Sequence, residues 1–131
     1  MKLFVYGTLK RGKSAHSLMK HCEFLGETIL PGYSLYRQGG LPVLVIDHVN
    51  TVTGEVYRIP EYDESPTDPH HGGKVSVVGI LDQYEGYISK DNPSNLYNRV
   101  KAYTVDQEMV DVYVYNGQPS DEAEFLIDGV W

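Results

Sequence analysis

Short β-prone segments separated by turn residues make up most of this chain, and they constrain its fold more than any other feature. Lys2–Tyr6 is apolar and β-prone, Pro42–Ile46 is almost continuously apolar, and Val52–Ile59 alternates between two faces. Further strands are predicted over 26–30, 33–36, 97–105 and 109–115. A chain with this many strands and few helices buries its apolar faces by curling or closing the sheet on itself.

Two segments have helical periodicity. In the first, Ser14 is a candidate N-cap for a helix over Ala15–Cys22, whose apolar residues recur at i, i+3, i+4 and i+7. The second runs from Val75 to Glu85, and Gly86 follows it as a C-terminal stop. The pattern therefore predicts an α+β fold, a small mixed and mostly antiparallel β-barrel with two helices.

Length and charge limit the kind of protein this is. The 131 residues predict a single domain over 1–131, and the net charge of −7, with no basic stripe, argues against a nucleic-acid or anionic-membrane partner. No apolar run approaches the roughly 18 residues needed to cross a bilayer. The single cysteine, Cys22, excludes an intrachain disulfide and a CxxC site. We expect a cytoplasmic protein, and the sequence leaves open whether it is a monomer or a dimer.

The composition changes sharply between residues 60 and 73. This stretch is rich in acidic residues and proline and ends in Gly72-Gly73, which predicts an exposed loop. A loop of this length in a compact domain is either functional or mobile, and we consider it a lid or specificity element. His70 and His71 lie near acidic residues, but neighbouring histidines in such a loop point apart. We therefore predict no metal site.

The turn after the first strand is a candidate anion-binding site. The strand stops at Gly7, and a strand that breaks into such a turn leaves several backbone N–H groups pointing outward. Gly7 would also let an anion approach the main chain closely. A purely structural role for Gly7 in the turn remains open, because the segment matches neither of the glycine-rich nucleotide-binding patterns.

The end of the second predicted helix carries a candidate proton acceptor. Asp82 and Glu85 are one helical turn apart and share a face with Val75 and Val78. At least one carboxylate would therefore lie against apolar surface, which would raise its pKa toward neutrality. The alternative is a solvated helix end with no role in chemistry.

A set of motifs spread over almost the whole chain occurs in the order typical of one known family. The motifs are Tyr6-Gly7-Thr8-Leu9-Lys10-Arg11-Gly12, Gly54-Glu55-Val56-Tyr57, Leu81-Asp82-Gln83-Tyr84-Glu85-Gly86, Tyr97-Asn98-Arg99 and Gly129-Val130-Trp131. In these motifs the chain resembles the gamma-glutamylcyclotransferase-like family, in its gamma-glutamylamine cyclotransferase or AIG2-like branch. Each motif alone is weak, and the ordered set is specific.

The resemblance implies a small mixed barrel with a cavity at one mouth and an enzyme that needs no cofactor. It implies that the α-amine of a γ-glutamyl amide attacks the γ-carbonyl of the same molecule, which releases 5-oxo-L-proline and a free amine or amino acid. The acid/base glutamate of the family maps onto Glu85. Its substrate-binding loop and pocket supports map onto Tyr6, Gly7, Thr8, Leu9, Tyr97 and Arg99.

Two other functions stay open. The first is a non-catalytic domain that binds a small molecule on the same barrel, although Glu85 and the intact Tyr6–Leu9 turn argue against it. The second is a cyclotransferase that acts on an acyl-glutamyl conjugate or a γ-glutamyl peptide. The length of the 60–73 loop and the β-branched residues of Val75–Ile80 depart from the family pattern, and the leaving group is therefore left open.

Overall fold

The computed structural model describes residues 1–60 and 76–131, which form a six-stranded sheet, one α-helix and a short 3₁₀ helix. The strands are β1 (Lys2–Val5), β2 (Glu23–Gln38), β3 (Leu41–Arg58), β4 (Tyr97–Tyr103), β5 (Met109–Tyr115) and β6 (Glu124–Phe125). The α-helix, α1, spans Val77–Glu85, and the 3₁₀ helix spans His16–Met19. The 60–73 loop and its His70–His71 pair lie outside the described residues, apart from Pro60.

The sheet is mixed and mostly antiparallel, as the sequence predicts. Its strands lie in the order β4-β5-β1-β3-β2-β6, and among the described strands only the β1–β5 pair is parallel. The sheet curls until the segment after β4 reaches β2, where the Val105 N–H donates to the Ile29 carbonyl at 2.9 Å. The barrel-like architecture is therefore confirmed as a curled half-barrel.

The four strands predicted between residues 26 and 59 are two long strands. β2 passes through Pro31 and Gly32 in a bulge, because pairing with β3 resumes on both sides of it. Pro31 pairs with Thr51 and Tyr33 pairs with Ile46, so β3 carries the longer side of the bulge. The prediction of separate strands over 26–30 and 33–36, divided at Pro31-Gly32, was wrong, since pairing with the neighbouring strand outweighs the local turn signal.

The first predicted helix, Ala15–Cys22, forms only the 3₁₀ turn at His16–Met19, and Ser14 does not cap it. The Ala15 N–H donates to the Thr8 carbonyl at 2.9 Å, which ties the segment to the turn before it. The predicted apolar face is correct, since its members pack in the core: Ala15, Leu18, Met19 and Cys22.

The second helix, α1, forms where the sequence predicts it. The Ser76 side chain accepts a hydrogen bond from the Gly79 N–H at 3.0 Å and caps the N-terminus. Gly86 ends the helix with a φ of 67°, a left-handed conformation that glycine adopts without strain. Val77 and Leu81 are buried in the core, which fixes the helix against the sheet.

The first strand, β1, is buried on both faces. Leu3 and Val5 enter the hydrophobic cluster beneath α1 and the 3₁₀ helix, whereas Phe4 and Tyr6 enter a second cluster with residues of β2, β3 and β5. A central strand held on both sides is a rigid support for the loop that follows it. In the described residues, no helix is long and apolar enough to span a bilayer.

Candidate active site

A small pocket lies where β1 ends, between the following loop and the last turn of α1. Its walls are Phe4, Val5, Tyr6, Gly7, Thr8, Leu9, Pro42, Glu85 and Tyr113. The free space is about 20 Å³, room for a single water molecule. The fold thus brings the predicted loop, Tyr6–Leu9, and the predicted glutamate, Glu85, into one site.

Hydrogen bonds set the direction of the peptide planes in this loop. The Gly7 carbonyl accepts from the Lys10 N–H at 3.1 Å, and the Thr8 carbonyl accepts from the Ala15 N–H at 2.9 Å. In a trans peptide the next N–H points the opposite way, so the N–H groups of Thr8 and Leu9 point away from these partners. Neither N–H finds an acceptor among residues 1–60 and 76–131. The loop therefore offers two adjacent donors that an anion could use.

Gly7 lacks a side chain for a reason that only the fold reveals. A Cβ atom at this position would lie 2.7 Å from Pro42 Cγ and 2.9 Å from Pro42 Cβ. The space that the sequence analysis assigned to an approaching anion is filled by this proline of β3. Gly7 therefore lets Pro42 close one side of the pocket.

Glu85, the last residue of α1, is largely buried at the pocket wall. Its carboxylate accepts no hydrogen bond from any residue that the structure describes. Burial without compensating partners raises its pKa to about 7. The predicted upward shift is confirmed, and a carboxyl group with such a pKa can both accept and return a proton near neutral pH.

Two tyrosines near Glu85 have their hydroxyls directed at main-chain carbonyls. Tyr6 donates to the Tyr113 carbonyl, and Tyr97 donates to the Pro42 carbonyl at 2.6 Å. Burial, and then the nearby Glu85 charge, raise the pKa of both hydroxyls above the ordinary value. These tyrosines stay neutral where Glu85 titrates; Tyr6 lines the pocket, whereas Tyr97 is not among the lining residues and reaches it only through the Pro42 carbonyl.

Asp82, which precedes Glu85 by one turn, has the partners that Glu85 lacks. Arg99 Nη1 lies 2.6 and 2.7 Å from its two carboxylate oxygens, and the Tyr113 hydroxyl donates to it at 2.6 Å. The Arg99 guanidinium also lies 5.1 Å from the ring centre of Tyr87. Arg99 thus ties α1 to β4 from outside the pocket wall.

The family profile described as "Gamma-glutamyl cyclotransferase, AIG2-like" matches residues 3–131, almost the whole chain. The chain belongs to this family. The motifs that suggested it come together at the pocket, where Tyr6–Leu9 faces Glu85. Known relatives and solved structures show how similar this AIG2-like chain is to them in sequence and in fold.

The chain is 42% identical over 67 residues to a Vibrio cholerae protein named as a gamma-glutamylcyclotransferase, a match that covers 50% of the chain and 57% of that protein. It is 28% identical over 127 residues to the gamma-L-glutamyl-butirosin B gamma-glutamyl cyclotransferase of Niallia circulans, covering 94% and 72%. The solution structure of Escherichia coli ytfP aligns with a TM-score of 0.62 and 29% identity, covering 100% of this chain and 96% of that one. The chain thus matches little more than half the length of the Vibrio cholerae relative.

Sequence reasoning on this AIG2-like chain did not predict the places of Tyr84, Pro42 and Tyr113 at the site. The Tyr84 hydroxyl lies 2.8 Å from Thr8 Oγ1 and joins α1 to the loop. The sequence signal that could have identified Tyr84 as a site residue is its position next to Glu85 in the same motif. Pro42 and Tyr113 line the pocket from β3 and β5, and no local pattern marks them. In the described part of the chain, no three His, Cys, Asp or Glu side chains are grouped as a metal site would require.

Proposed function

We propose that this protein is a gamma-glutamyl cyclotransferase that converts a γ-glutamylamine or γ-glutamyl amino acid into 5-oxo-L-proline and a free amine. The observation that carries this proposal is Glu85, a buried carboxyl group with a pKa of about 7 and no hydrogen-bond donor in the described residues. It shares a pocket with Thr8 and Leu9, whose N–H groups have no acceptor among the described residues. Membership of the family supports the class of reaction.

Glu85 carries the proton in the proposed reaction. The substrate's α-ammonium group, with an ordinary pKa of about 8, gives one proton to the Glu85 carboxylate. The freed lone pair attacks the γ-carbonyl carbon and forms the five-membered ring. Glu85 returns its proton to the leaving nitrogen, the bond from that nitrogen to the γ-carbon breaks, and the ring nitrogen loses its extra proton to solvent. The nucleophile is part of the substrate.

The loop holds the substrate in the folded shape that this attack requires. The N–H groups of Thr8 and Leu9 bind either the α-carboxylate or the oxyanion that develops on the γ-carbonyl. Holding the amine and the carbonyl together supplies a large share of the rate. Because the free space is about 20 Å³, the walls have to separate to admit a glutamyl group. Tyr97 and Arg99 support those walls in this proposal.

The loop over residues 60–73 is proposed as a lid or specificity element. It lies just before α1, the helix that carries Glu85, in the sequence. We expect its deletion to change kcat or KM across a set of γ-glutamyl compounds. Unchanged values for every compound would show that the loop is a tolerated insertion.

A panel of γ-glutamyl compounds tests the proposed reaction. γ-Glutamylamines, γ-glutamyl amino acids, γ-glutamyl peptides and acyl-glutamyl conjugates are incubated with the protein, and release of 5-oxoproline is measured. We expect turnover of at least one γ-glutamyl amide. Calorimetric binding of such a compound without product would contradict the proposal and identify a non-catalytic binding domain. Turnover of only an acyl-glutamyl conjugate would change the substrate class.

A further inference from the structure

Glu55 of β3 is a buried carboxylate that the proposed reaction does not use. Only 5% of its surface is exposed. Arg11 donates to it twice, from its backbone N–H at 2.9 Å and from Nε at 3.0 Å, and the Tyr57 hydroxyl donates at 3.1 Å. Burial alone would raise the pKa of Glu55, but these donors hold it below the ordinary value. Glu55 is therefore a fixed anion with its hydrogen bonds made.

The side chain of Arg11 is held in place although half of it is exposed. Its side chain is 55% exposed, yet its guanidinium lies 3.9 Å from the ring centre of Phe24 on β2. The Nε–H of this guanidinium donates a charge-assisted hydrogen bond to Glu55, and the same planar group lies over the Phe24 ring. Arg11 is thus fixed to two strands of the sheet at once.

One residue holds both ends of the substrate-binding loop. The backbone of Glu55 pairs with Val5, the last residue of β1, in the β1–β3 ladder. Its side chain holds Arg11, where the loop ends. Thr8 and Leu9 lie between these two points, and their N–H groups are the donors that face no partner in the described chain.

We infer that Glu55 is a positioning residue, which fixes Arg11 and thereby directs the N–H groups of Thr8 and Leu9 at the substrate. The expected effect of Glu55 on turnover rests on the proposed function, whereas its expected effect on the order of the loop is independent of that function. Glu55→Gln keeps the shape of the side chain but removes the charge and places an amide against the Arg11 donors. Arg11→Ala removes the side-chain half of the link and leaves the backbone N–H of residue 11 as a donor to Glu55.

The experiment combines loop order with kinetics in four variants: Glu55→Gln, Arg11→Ala, the double variant and Tyr57→Phe. Backbone NMR order parameters are measured at Thr8 and Leu9, and kcat and KM are measured by 5-oxoproline release. We expect a wild-type order parameter of about 0.85 to fall toward 0.6 in the first three variants. Their kcat/KM should fall about tenfold or more, and the double variant should be no worse than the worse single variant, since both break one link.

Tyr57→Phe is the matched control, because it removes a hydrogen bond to Glu55 that does not reach the loop. We expect its kcat/KM to stay within about threefold of wild type. A loss confined to KM in Arg11→Ala would support positioning of donors that hold the α-carboxylate, and a loss confined to kcat would support positioning of donors that hold the oxyanion.

Unchanged order parameters and kinetics in folded Glu55→Gln would overturn the inference, as would additive losses in the double variant. Arg11→Ala tests the side-chain half of the link alone, and Glu55→Asp, which shortens the side chain away from both Arg11 donors, takes the place of Glu55→Gln if that variant does not fold. If wild type releases no 5-oxoproline from any compound, the proposed function fails, and the order parameters still decide whether Glu55 orders the loop.

Discussion

Glu55 and Glu85 are two glutamates removed from water on either side of the same loop, and their pKa values move in opposite directions. Glu55 receives three hydrogen bonds and stays below the ordinary pKa of a glutamate. Glu85 receives none from the described residues, and its pKa rises to about 7. Hydrogen-bond partners, more than burial, therefore decide whether a buried carboxylate in this fold is a fixed anion or a proton carrier.

The loop side and the helix side of the pocket also differ in what holds them in place and in what they present to a substrate. The loop is held by Glu55 and presents neutral backbone donors whose state does not change with pH. The helix is held one turn earlier, through Asp82 and Arg99, and its last carboxylate has no hydrogen-bond partner in the part of the chain that the structure describes. The residues that hold the loop and the helix in place are thus different from Glu85, the proposed proton carrier. Substitutions can therefore test the two roles separately.

The largest expected effect is on turnover in Glu85→Gln. Glutamine fills the same space but cannot carry a proton, so we expect kcat to fall by about a hundredfold to ten-thousandfold. The measurement is 5-oxoproline release at saturating substrate. Gln83→Ala, an exposed change on the same helix, is the matched control and should keep wild-type turnover. Activity of Glu85→Gln within about tenfold of wild type, roughly 1.4 kcal/mol of barrier, would remove Glu85 from the reaction.

The second effect is a pH-dependent gain in stability for Glu85→Gln. The folded pKa of Glu85 is raised from 4.5 to about 7, so the folded protein keeps a proton that the unfolded chain loses in this range. The free energy of unfolding of wild type should fall by up to about 3 kcal/mol as the pH rises from 4.5 to 7. Urea unfolding at pH 5 and pH 8 measures this, and Glu85→Gln should be the more stable protein at pH 8. Parallel pH curves for the two proteins would contradict a raised pKa.

Glu55→Gln should change the pH dependence of stability in the opposite sense. The lowered pKa of Glu55 contributes stability that is present above the unfolded pKa and is lost as the pH falls through the folded one. The variant lacks this contribution, so the difference in unfolding free energy between it and wild type should shrink as the pH falls below the unfolded pKa of 4.5. Urea unfolding between pH 3 and pH 6 tests this. A constant difference would show that the Glu55 pKa is not shifted by folding.

A smaller effect is expected from weakening the link that holds α1. Arg99→Lys replaces a guanidinium that reaches both oxygens of Asp82 with a single ammonium group. We expect kcat to fall by about tenfold through misplacement of Glu85, with the midpoint of the acidic limb of kcat/KM still near pH 7. The reason is that burial, and not Arg99, raises the Glu85 pKa. A displaced midpoint would show that Arg99 also acts on the Glu85 charge.

The smallest effect is expected for Tyr84→Phe. Its hydroxyl joins α1 to Thr8, and the residue is 44% exposed, so the hydrogen bond contributes little net stability. Because the pocket walls have to separate to admit substrate, we expect kcat/KM to rise by no more than about threefold. A tenfold loss would show that the Tyr84 hydroxyl takes part in the reaction and that Glu85 does not carry the proton alone.

Local signals in the sequence predicted the elements that carry the site. The apolar run over Lys2–Tyr6 marks β1, and Gly86 marks the end of α1 because it adopts the left-handed conformation there. Where a tertiary contact competes with a local signal, the prediction fails. Pairing with β3 carries β2 through Pro31-Gly32, and the bond from Ala15 to Thr8 limits the first helix to one turn.

By itself the sequence determined that Asp82 and Glu85 share one face of a helix and that burial would raise the pKa of at least one of them. Only the tertiary structure decided which one. Arg99 on β4 and Tyr113 on β5 reach Asp82, and no described residue reaches Glu85. The physical reason is that hydrogen bonds come from strands distant in the sequence, whose positions depend on the order of the whole sheet.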